Sequence, residues 1–376
     1  MINYRVGIDC RLAGQSHAGI GRYTIELVKR VTAHTQIDWV LFYSHKNQIN
    51  QIFPDSKIPA NCTLTHTPVQ HYTIQEQLQM NSFFTKASLD LLHVPHFNIP
   101  IFYARPLVIT IHDLLWHEHR GSHVTTLSPW KYWIKYWFYR LVTSKAIEKA
   151  ASIFVPTNTV RSTLKKYYPA SYSKVVVTPE GISDQLLQSS KELKGVERNP
   201  KELLYVGSLY PHKNVEIILK ALLQLPEHTL TIVSSRNVFR DKQEKHVSEL
   251  GLKRRVKFLS NVSDAELARL YKSSAALVQP SLSEGFGLTG LEAIALATPV
   301  LASKIPVFKE VYKNAAIYFD PYSVDDFCRA VSELTNADTV KQLKLSSAAV
   351  LEKNNWDDLA NRTYLNYQRV LHAQNQ

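Results

Sequence analysis

Pro280-Ser281-Leu282-Ser283-Glu284-Gly285-Phe286-Gly287-Leu288-Thr289-Gly290-Leu291-Glu292-Ala293 sets two carboxylates eight positions apart, with three glycines between them. Upstream, Ala275 to Val278 is apolar; downstream, Leu291 to Ala297 repeats at helical spacing, so the segment reads strand, loop, helix. A helix N-terminus carries unpaired N–H groups and a partial positive charge, which suits an anion. Glycines let that backbone come close to a ligand. Carboxylates on either side accept hydrogen bonds from hydroxyl groups. A phosphate joined to hydroxyl-bearing groups describes a sugar nucleotide. The competing local reading is a capping box, with Thr289 as N-cap and Glu292 closing back on it. That box accounts for neither Glu284 nor the glycines at 285, 287 and 290.

Working outward, the same grammar fills the second half. Strands are expected at Glu202–Val206, Thr229–Val233, Val256–Phe258, Ala275–Val278, Val300–Ala302 and Ala316–Phe319. Helices fall between them, at Val215–Leu223, Asp241–Leu250, Asp264–Lys272 and Val307–Tyr312 among others. The first half opens with a strand at Tyr4–Ile8, a glycine-bearing loop from Gly14 to Gly21 and a helix from Arg22 to about Ala33. Further strands are expected at Val40–Tyr43, Leu89–His93, Leu107–Ile111, Ile153–Val155 and Lys174–Val177, and a helix from about Pro129 to Ala150. Alternating strands and helices predict an α/β fold with two Rossmann-like parallel-sheet domains. The polar stretch Gln188 to Pro200 reads as the linker, which divides the chain into domains at 1–187 and 188–355. Ligands of such folds sit at the carboxyl ends of strands, and between two such domains that means a cleft.

The chain has 376 residues, 45% hydrophobic and 20% charged, an ordinary globular composition. Three widely spaced cysteines match no metal pattern and suggest a reducing compartment. The N-terminus lacks the apolar core of a signal peptide, and no window approaches about 18 apolar residues, so a cytoplasmic protein without a transmembrane helix is expected. The net charge of +12 is uneven: residues 1–185 hold 19 basic against 11 acidic residues, residues 186–376 hold 25 against 21. A basic half suggests an anionic partner.

Other segments add candidate chemistry. Gly207-Ser208-Leu209-Tyr210-Pro211-His212-Lys213-Asn214 joins a strand to a helix and places Lys213 at a strand's carboxyl end, where a lysine can meet a diphosphate or remain a solvated surface charge. Gly19-Ile20-Gly21-Arg22 is a tight turn or a place of close phosphate or acceptor approach. It lacks the third glycine and the ribose acid of a dinucleotide site, which weakens an NAD-dependent oxidoreductase reading. His112, with Asp113, closes a strand and is either structural or in contact with a reacting sugar. The histidines at 93, 96, 112, 117 and 119 match no common metal-ligand spacing. In Trp130–Arg140, Trp130, Trp133, Trp137 and Leu141 share one helical face among Lys131, Lys135 and Arg140. This is a helix packed on its domain, or an anchor for an anionic membrane surface. No RNA or DNA motif accompanies it, so a non-catalytic nucleic-acid-binding module is the weaker rival and nucleic acid is not expected as a partner.

Together these segments resemble the retaining glycosyltransferases of family 4, of GT-B architecture, and their mannosyltransferase branch in particular. The resemblance rests on Gly19-Ile20-Gly21-Arg22-Tyr23-Thr24, Thr110-Ile111-His112-Asp113-Leu114, Pro179-Glu180-Gly181-Ile182, Tyr205-Val206-Gly207 to Lys213-Asn214, Pro280 to Glu292 with Ala297-Thr298-Pro299-Val300, and Trp356 with Leu359–His372. It implies that Glu284 binds donor-sugar hydroxyls and Glu292 the ribose. Backbone N–H groups of Phe286, Gly287 and Leu288 face sugar and phosphates, Lys213 binds the diphosphate, and His112 sits by the transferred sugar. The base rests against Asn261-Val262, and the helix at about 356–376 packs back on the first domain. It implies no metal and no cofactor: the nucleotide sugar, GDP-mannose as best choice, is a substrate. A hexosyl group would pass with retention to a glycan or lipid-linked glycan at the cytoplasmic face of the inner membrane, with the enzyme peripheral there. Three positions depart from the family pattern. Ser208 stands where relatives often carry arginine, so either Arg22 or His212 substitutes for that cation or phosphate binding is weaker. Thr289 and Gly290 stand where proline is frequent. Ser234-Ser235-Arg236 replaces glycines.

Overall fold

A computed structural model of the chain describes residues 4–14, 17–121, 125, 128–234 and 238–373. Its contacts divide the chain into two compact units. One unit takes the chain up to Leu114, then Trp133–Glu180 and the chain from Trp356 on; the other takes Leu115–Tyr132 and Gly181–Asn355.

In chain order the first unit contains β1 (Tyr4–Asp9), α1 (Ala18–Val31), β2 (Ile37–Tyr43), α2 (Lys46–Ile52), β3 (Cys62–His66), α3 (Ile74–Lys86), β4 (Leu91–Val94) and β5 (Leu107–Thr110). After α4 (Leu115–Glu118), which belongs to the other unit as does the start of α5 (Pro129–Lys149), the first unit continues through the rest of α5, β6 (Ser152–Val155), α6 (Asn158–Tyr167) and β7 (Val175–Val177). The strands form one seven-stranded sheet in the order β3-β2-β1-β4-β5-β6-β7, parallel throughout. Its strands β4, β5 and β6 are mostly apolar and fully buried, as expected of strands covered by helices on both faces.

The second unit holds α7 (Asp184–Glu192), β8 (Asn199–Val206), α8 (Val215–Gln224), β9 (Thr229–Val233), α9 (Arg240–Glu249), β10 (Val256–Leu259), α10 (Asp264–Ser273) and β11 (Ser274–Gln279). It continues with α11 (Leu288–Ala295), β12 (Val300–Ser303), α12 (Pro306–Tyr312), β13 (Ile317–Phe319), α13 (Val324–Ser332) and α14 (Ala337–Lys353). Its six parallel strands run β10-β9-β8-β11-β12-β13. Both sheets are doubly wound, and in each the strand order reverses beside the unit's first strand. Ligand crevices of such sheets open at that reversal, outside the strand carboxyl ends. In the second unit it lies between β8 and β11, whose next residues begin the Gly207–Asn214 and Pro280–Gly287 loops. The last helix, α15 (Trp356–Ala373), belongs to the first unit and packs along α1.

Four details differ from the sequence reading, and a fifth decides between two that it left open. The polar stretch 188–200 is not all linker: α7 runs to Glu192 and β8 begins at Asn199. Gly19 and Gly21 lie inside α1 rather than in a loop before it. A Cβ on Gly21 would run into the Gly14 carbonyl, so glycine there serves helix-to-loop packing. β3 had no expected strand, because its Cys-Thr-Leu-Thr-His sequence is a half-exposed edge with weak alternation. α11 is not opened by a Thr289–Glu292 capping box: its N-cap is Gly287 at φ +99°, and Thr289 lies within the helix, hydrogen-bonded by the Gln279 amide. On α5 the packed face is Tyr132, Tyr136, Tyr139, Val142, Ala146 and Ile147, whereas Trp130, Trp133, Trp137 and Leu141 are exposed. Ser235 and Arg236 lie outside the described residues.

Candidate active site

The two loops at the β8/β11 reversal are tied to one another. The Leu282 N–H donates to the His212 carbonyl at 2.8 Å. Lys213 ends a short 3₁₀ turn, Pro211–Lys213, and Asn214 follows in the left-handed region at φ +54°. That turn aims the Lys213 ammonium at Glu284 Oε1, 2.6 Å away, and both side chains are mostly but not fully buried. The Ser281 hydroxyl donates to the same carboxylate oxygen at 2.8 Å. A compact, partly desolvated ion pair therefore stands where strand ends and a helix N-terminus converge, and charge-assisted contacts of this kind are the strong ones.

The surrounding groups are tyrosines locked as donors. The Tyr205 hydroxyl donates to the Ser208 carbonyl at 2.6 Å, which fixes the start of the lysine loop. The Tyr312 hydroxyl lies 2.6 Å from both Gln279 Oε1 and the Gly287 carbonyl, so it pins the residue that opens α11. Burial pushes both phenols well above their ordinary range, and the Glu284 carboxylate adds to it. Burial also drives His212 down to about 3, helped by the Lys213 charge, so its ring is neutral and adds no cation to the lysine loop.

Glu292 lies one helical turn inside α11 and is buried; its Oε2 accepts from the Tyr271 hydroxyl at 2.9 Å. Phe286 is buried, Gly287 and Leu288 are half-buried, and the backbone of all three lies at the head of α11. Asn261, at φ +55°, and Val262 form the turn after β10, at the edge of the sheet and two strands from β8. The structure thus gathers Lys213, Ser208, Glu284, Phe286, Gly287 and Leu288 at one reversal, with Glu292 beneath and Asn261-Val262 at the sheet edge. Sequence reading missed Ser281, Gln279, Tyr205, Tyr271 and Tyr312. Ser281 was legible as a hydroxyl three residues before Glu284; the tyrosines come from elements whose proximity only the fold reveals.

His112, Gly19 and Gly21 belong to the first unit. His112 follows β5, with Nε2 3.1 Å from the Pro95 carbonyl and Nδ1 3.3 Å from Glu180 Oε1. The Tyr23 ring of α1 stands edge-on to it, centroids 4.7 Å apart.

The comparisons with known proteins agree with this architecture along the chain. The family model described as Glycosyltransferase Family 4 matches residues 17–186, and Glycosyl transferases group 1 matches residues 188–350. The chain is a family 4 glycosyltransferase. Among curated proteins, this glycosyltransferase is 26% identical over 316 residues to the O-antigen chain mannosyltransferase RfbU of Salmonella typhimurium, covering 82% of the chain and 84% of the relative. It is 25% identical over 368 residues to O-antigen chain mannosyltransferase B of Escherichia coli, covering 92% and 94%. Anabaena Alr3699/HepE, solved in complex with UDP-glucose, shares the fold at TM-score 0.71 and 16% identity over 99% of each chain. The architecture is GT-B, with two parallel-sheet α/β domains of seven and six strands.

Proposed function

We propose that this glycosyltransferase moves a hexosyl group, mannose from GDP-mannose, to a glycan or lipid-linked glycan acceptor with retention at the anomeric carbon. The Lys213–Glu284 pair at the β8/β11 reversal carries the reading. Lys213 would meet the diphosphate, whose negative charge grows as the sugar leaves, and the head of α11 would add its dipole. Glu284 would accept from the sugar hydroxyls, Glu292 would hold the ribose, and Asn261-Val262 would support the base. His112 would sit by the transferred sugar. In a front-face reaction the leaving phosphate oxygen takes the acceptor's proton as the new bond forms, through an oxocarbenium-like state. This route uses no metal. The mannosyltransferase relatives favour mannose, whereas the UDP-glucose complex of HepE keeps uridine donors as the alternative.

Thermal unfolding with GDP, UDP and ADP in turn separates these donors. A ligand at one hundred times its Kd stabilises the native state by about 2.7 kcal/mol. GDP should raise the midpoint most, and labelled GDP-mannose should then be turned over. A larger shift with UDP moves the donor to the uridine class, and no shift with any nucleotide overturns the reading.

The exposed face of α5 supports peripheral attachment to an anionic membrane. Trp130, Trp133, Ile134, Trp137, Phe138 and Leu141 are exposed together, with Lys131 and Lys135 beside them. Aromatic rings at headgroup depth with flanking lysines suit that interface. Among the described helices none is long and apolar enough to cross a membrane. The full chain should float with vesicles containing about one-third phosphatidylglycerol, and salt should weaken the attachment. The double variant Trp133→Ala, Trp137→Ala should stay in the soluble fraction. Equal flotation of both proteins would reject the anchor.

A further inference from the structure

The hydrogen bonds of His112 carry more than a place beside a sugar. Nε2 faces the Pro95 carbonyl and Nδ1 faces the Glu180 carboxylate, at 3.1 and 3.3 Å. A carbonyl oxygen only accepts, so Nε2 carries a proton; a neutral imidazole then turns a lone pair on Nδ1 toward a carboxylate. Two acceptors are satisfied together only when one more proton lies between Nδ1 and Glu180. Both side chains are largely buried, 13% and 5% exposed, so water does not readily substitute for that proton.

We propose that Glu180 is a positioning residue for His112: it keeps a proton at Nδ1 and so makes that nitrogen a hydrogen-bond donor to an accepting oxygen of the substrate. The inference rests on the glycosyltransferase reading above. The Glu180 contact is the longer of the two, so the ring can exchange it for a substrate oxygen while Pro95 holds Nε2. A substrate oxygen that only accepts would be repelled by a lone pair at Nδ1.

The surroundings leave this task to Glu180. His93 on β4 is driven down to about 3 by burial and by the charge of His112. Burial, with His112 as a further cause, holds His96 well below its usual range. Both rings are therefore neutral. Burial also raises the Tyr23 phenol, which stays an O–H. Asp113 follows His112 in the chain, and His71, Asp9 and His17 act on His96 beside it. The ring plane is fixed from behind. The Tyr23 hydroxyl pairs with Thr110 Oγ1 at 2.9 Å, Thr110 Oγ1 with His93 Nε2 at 2.9 Å, and His93 Nδ1 with the Tyr367 hydroxyl of α15.

Glu180→Gln tests the proton apart from the shape. A glutamine amide can donate to an unprotonated Nδ1, so the ring keeps its place and both contacts but loses the extra proton. In the full-length protein, ¹⁵N ring spectra, with His112 assigned through His112→Gln, should show both His112 nitrogens protonated. In Glu180→Gln, Nδ1 should become the unprotonated type. With the sugar nucleotide that the wild type turns over, Glu180→Gln should lower kcat about tenfold or more. Its KM should stay within about threefold and its unfolding midpoint should not move. An unprotonated Nδ1 in the wild type, or a kcat kept within twofold in Glu180→Gln, overturns the proposal. If the wild type turns over no sugar nucleotide, the glycosyltransferase reading of the site fails instead, and the ring spectra still decide the role of Glu180.

Discussion

Lys213→Ala is expected to lower kcat/KM for the sugar nucleotide by about 10²–10³-fold, the usual loss when one preorganised group facing developing charge is removed. The fold should survive it. Lys213 keeps one-fifth of its side chain exposed, and among the described residues its ammonium makes a single ion pair, with Glu284. The loss would fall on kcat as well as KM, because the diphosphate gains charge as the sugar leaves and Lys213 would hold it most strongly there. Glu284→Gln separates the two partners. The Glu284 carboxylate occupies the ammonium that a diphosphate would need. Removing that charge should tighten binding of the bare nucleotide diphosphate while slowing sugar transfer. Steady-state kinetics and calorimetry with the nucleotide diphosphate measure both. A Lys213→Ala protein within fivefold of the wild type would show that the diphosphate is held elsewhere, and Arg22 is then the first cation to test.

The regular strands of the fold were legible because their apolar runs are buried from both sides and bounded by turn residues. Thr229–Val233 is such a run, and its bounds match the structure. Legibility failed where a tertiary contact overrides a local rule. Gly19 and Gly21 look like a loop, yet they lie inside α1 because Gly21 must pass the Gly14 carbonyl. Thr289 and Glu292 look like a capping box. In the structure Gly287 takes the cap, Gln279 takes the Thr289 hydroxyl and Tyr271 reaches Glu292. The aromatic stripe on α5 showed its period but not its sense, since tyrosines and tryptophans alternate around the helix and either could face the core. Lys213 and Glu284 were each legible as candidates. Their pairing was not, because 71 residues separate them and only the adjacency of β8 and β11 brings their loops together.

Gly290→Ala should cost the second unit about 1–3 kcal/mol, the range for forcing an extra group into a packed interior. The backbone of Gly290 is helical and alanine suits a helix better by about 1 kcal/mol, so local propensity predicts the opposite sign. Packing decides. A Cβ there would lie closer than 3.0 Å to the hydroxyl oxygen and ring of Tyr312, which is fully buried and stacked on Phe308. The ring can yield only by abandoning its contacts with Gln279 and the Gly287 carbonyl, which hold the head of α11. Gly287→Ala should be at least as costly. Its φ of +99° disfavours any side chain, and its Cβ would meet the same Tyr312 hydroxyl and lie 2.8 Å from Phe308 Cε1. Urea unfolding followed by fluorescence measures the loss, and the nucleotide-induced rise in melting temperature should shrink with it. A Gly290→Ala protein as stable as the wild type would mean that Tyr312 has room to move. The glycine would then serve close approach of a ligand rather than close approach of α12.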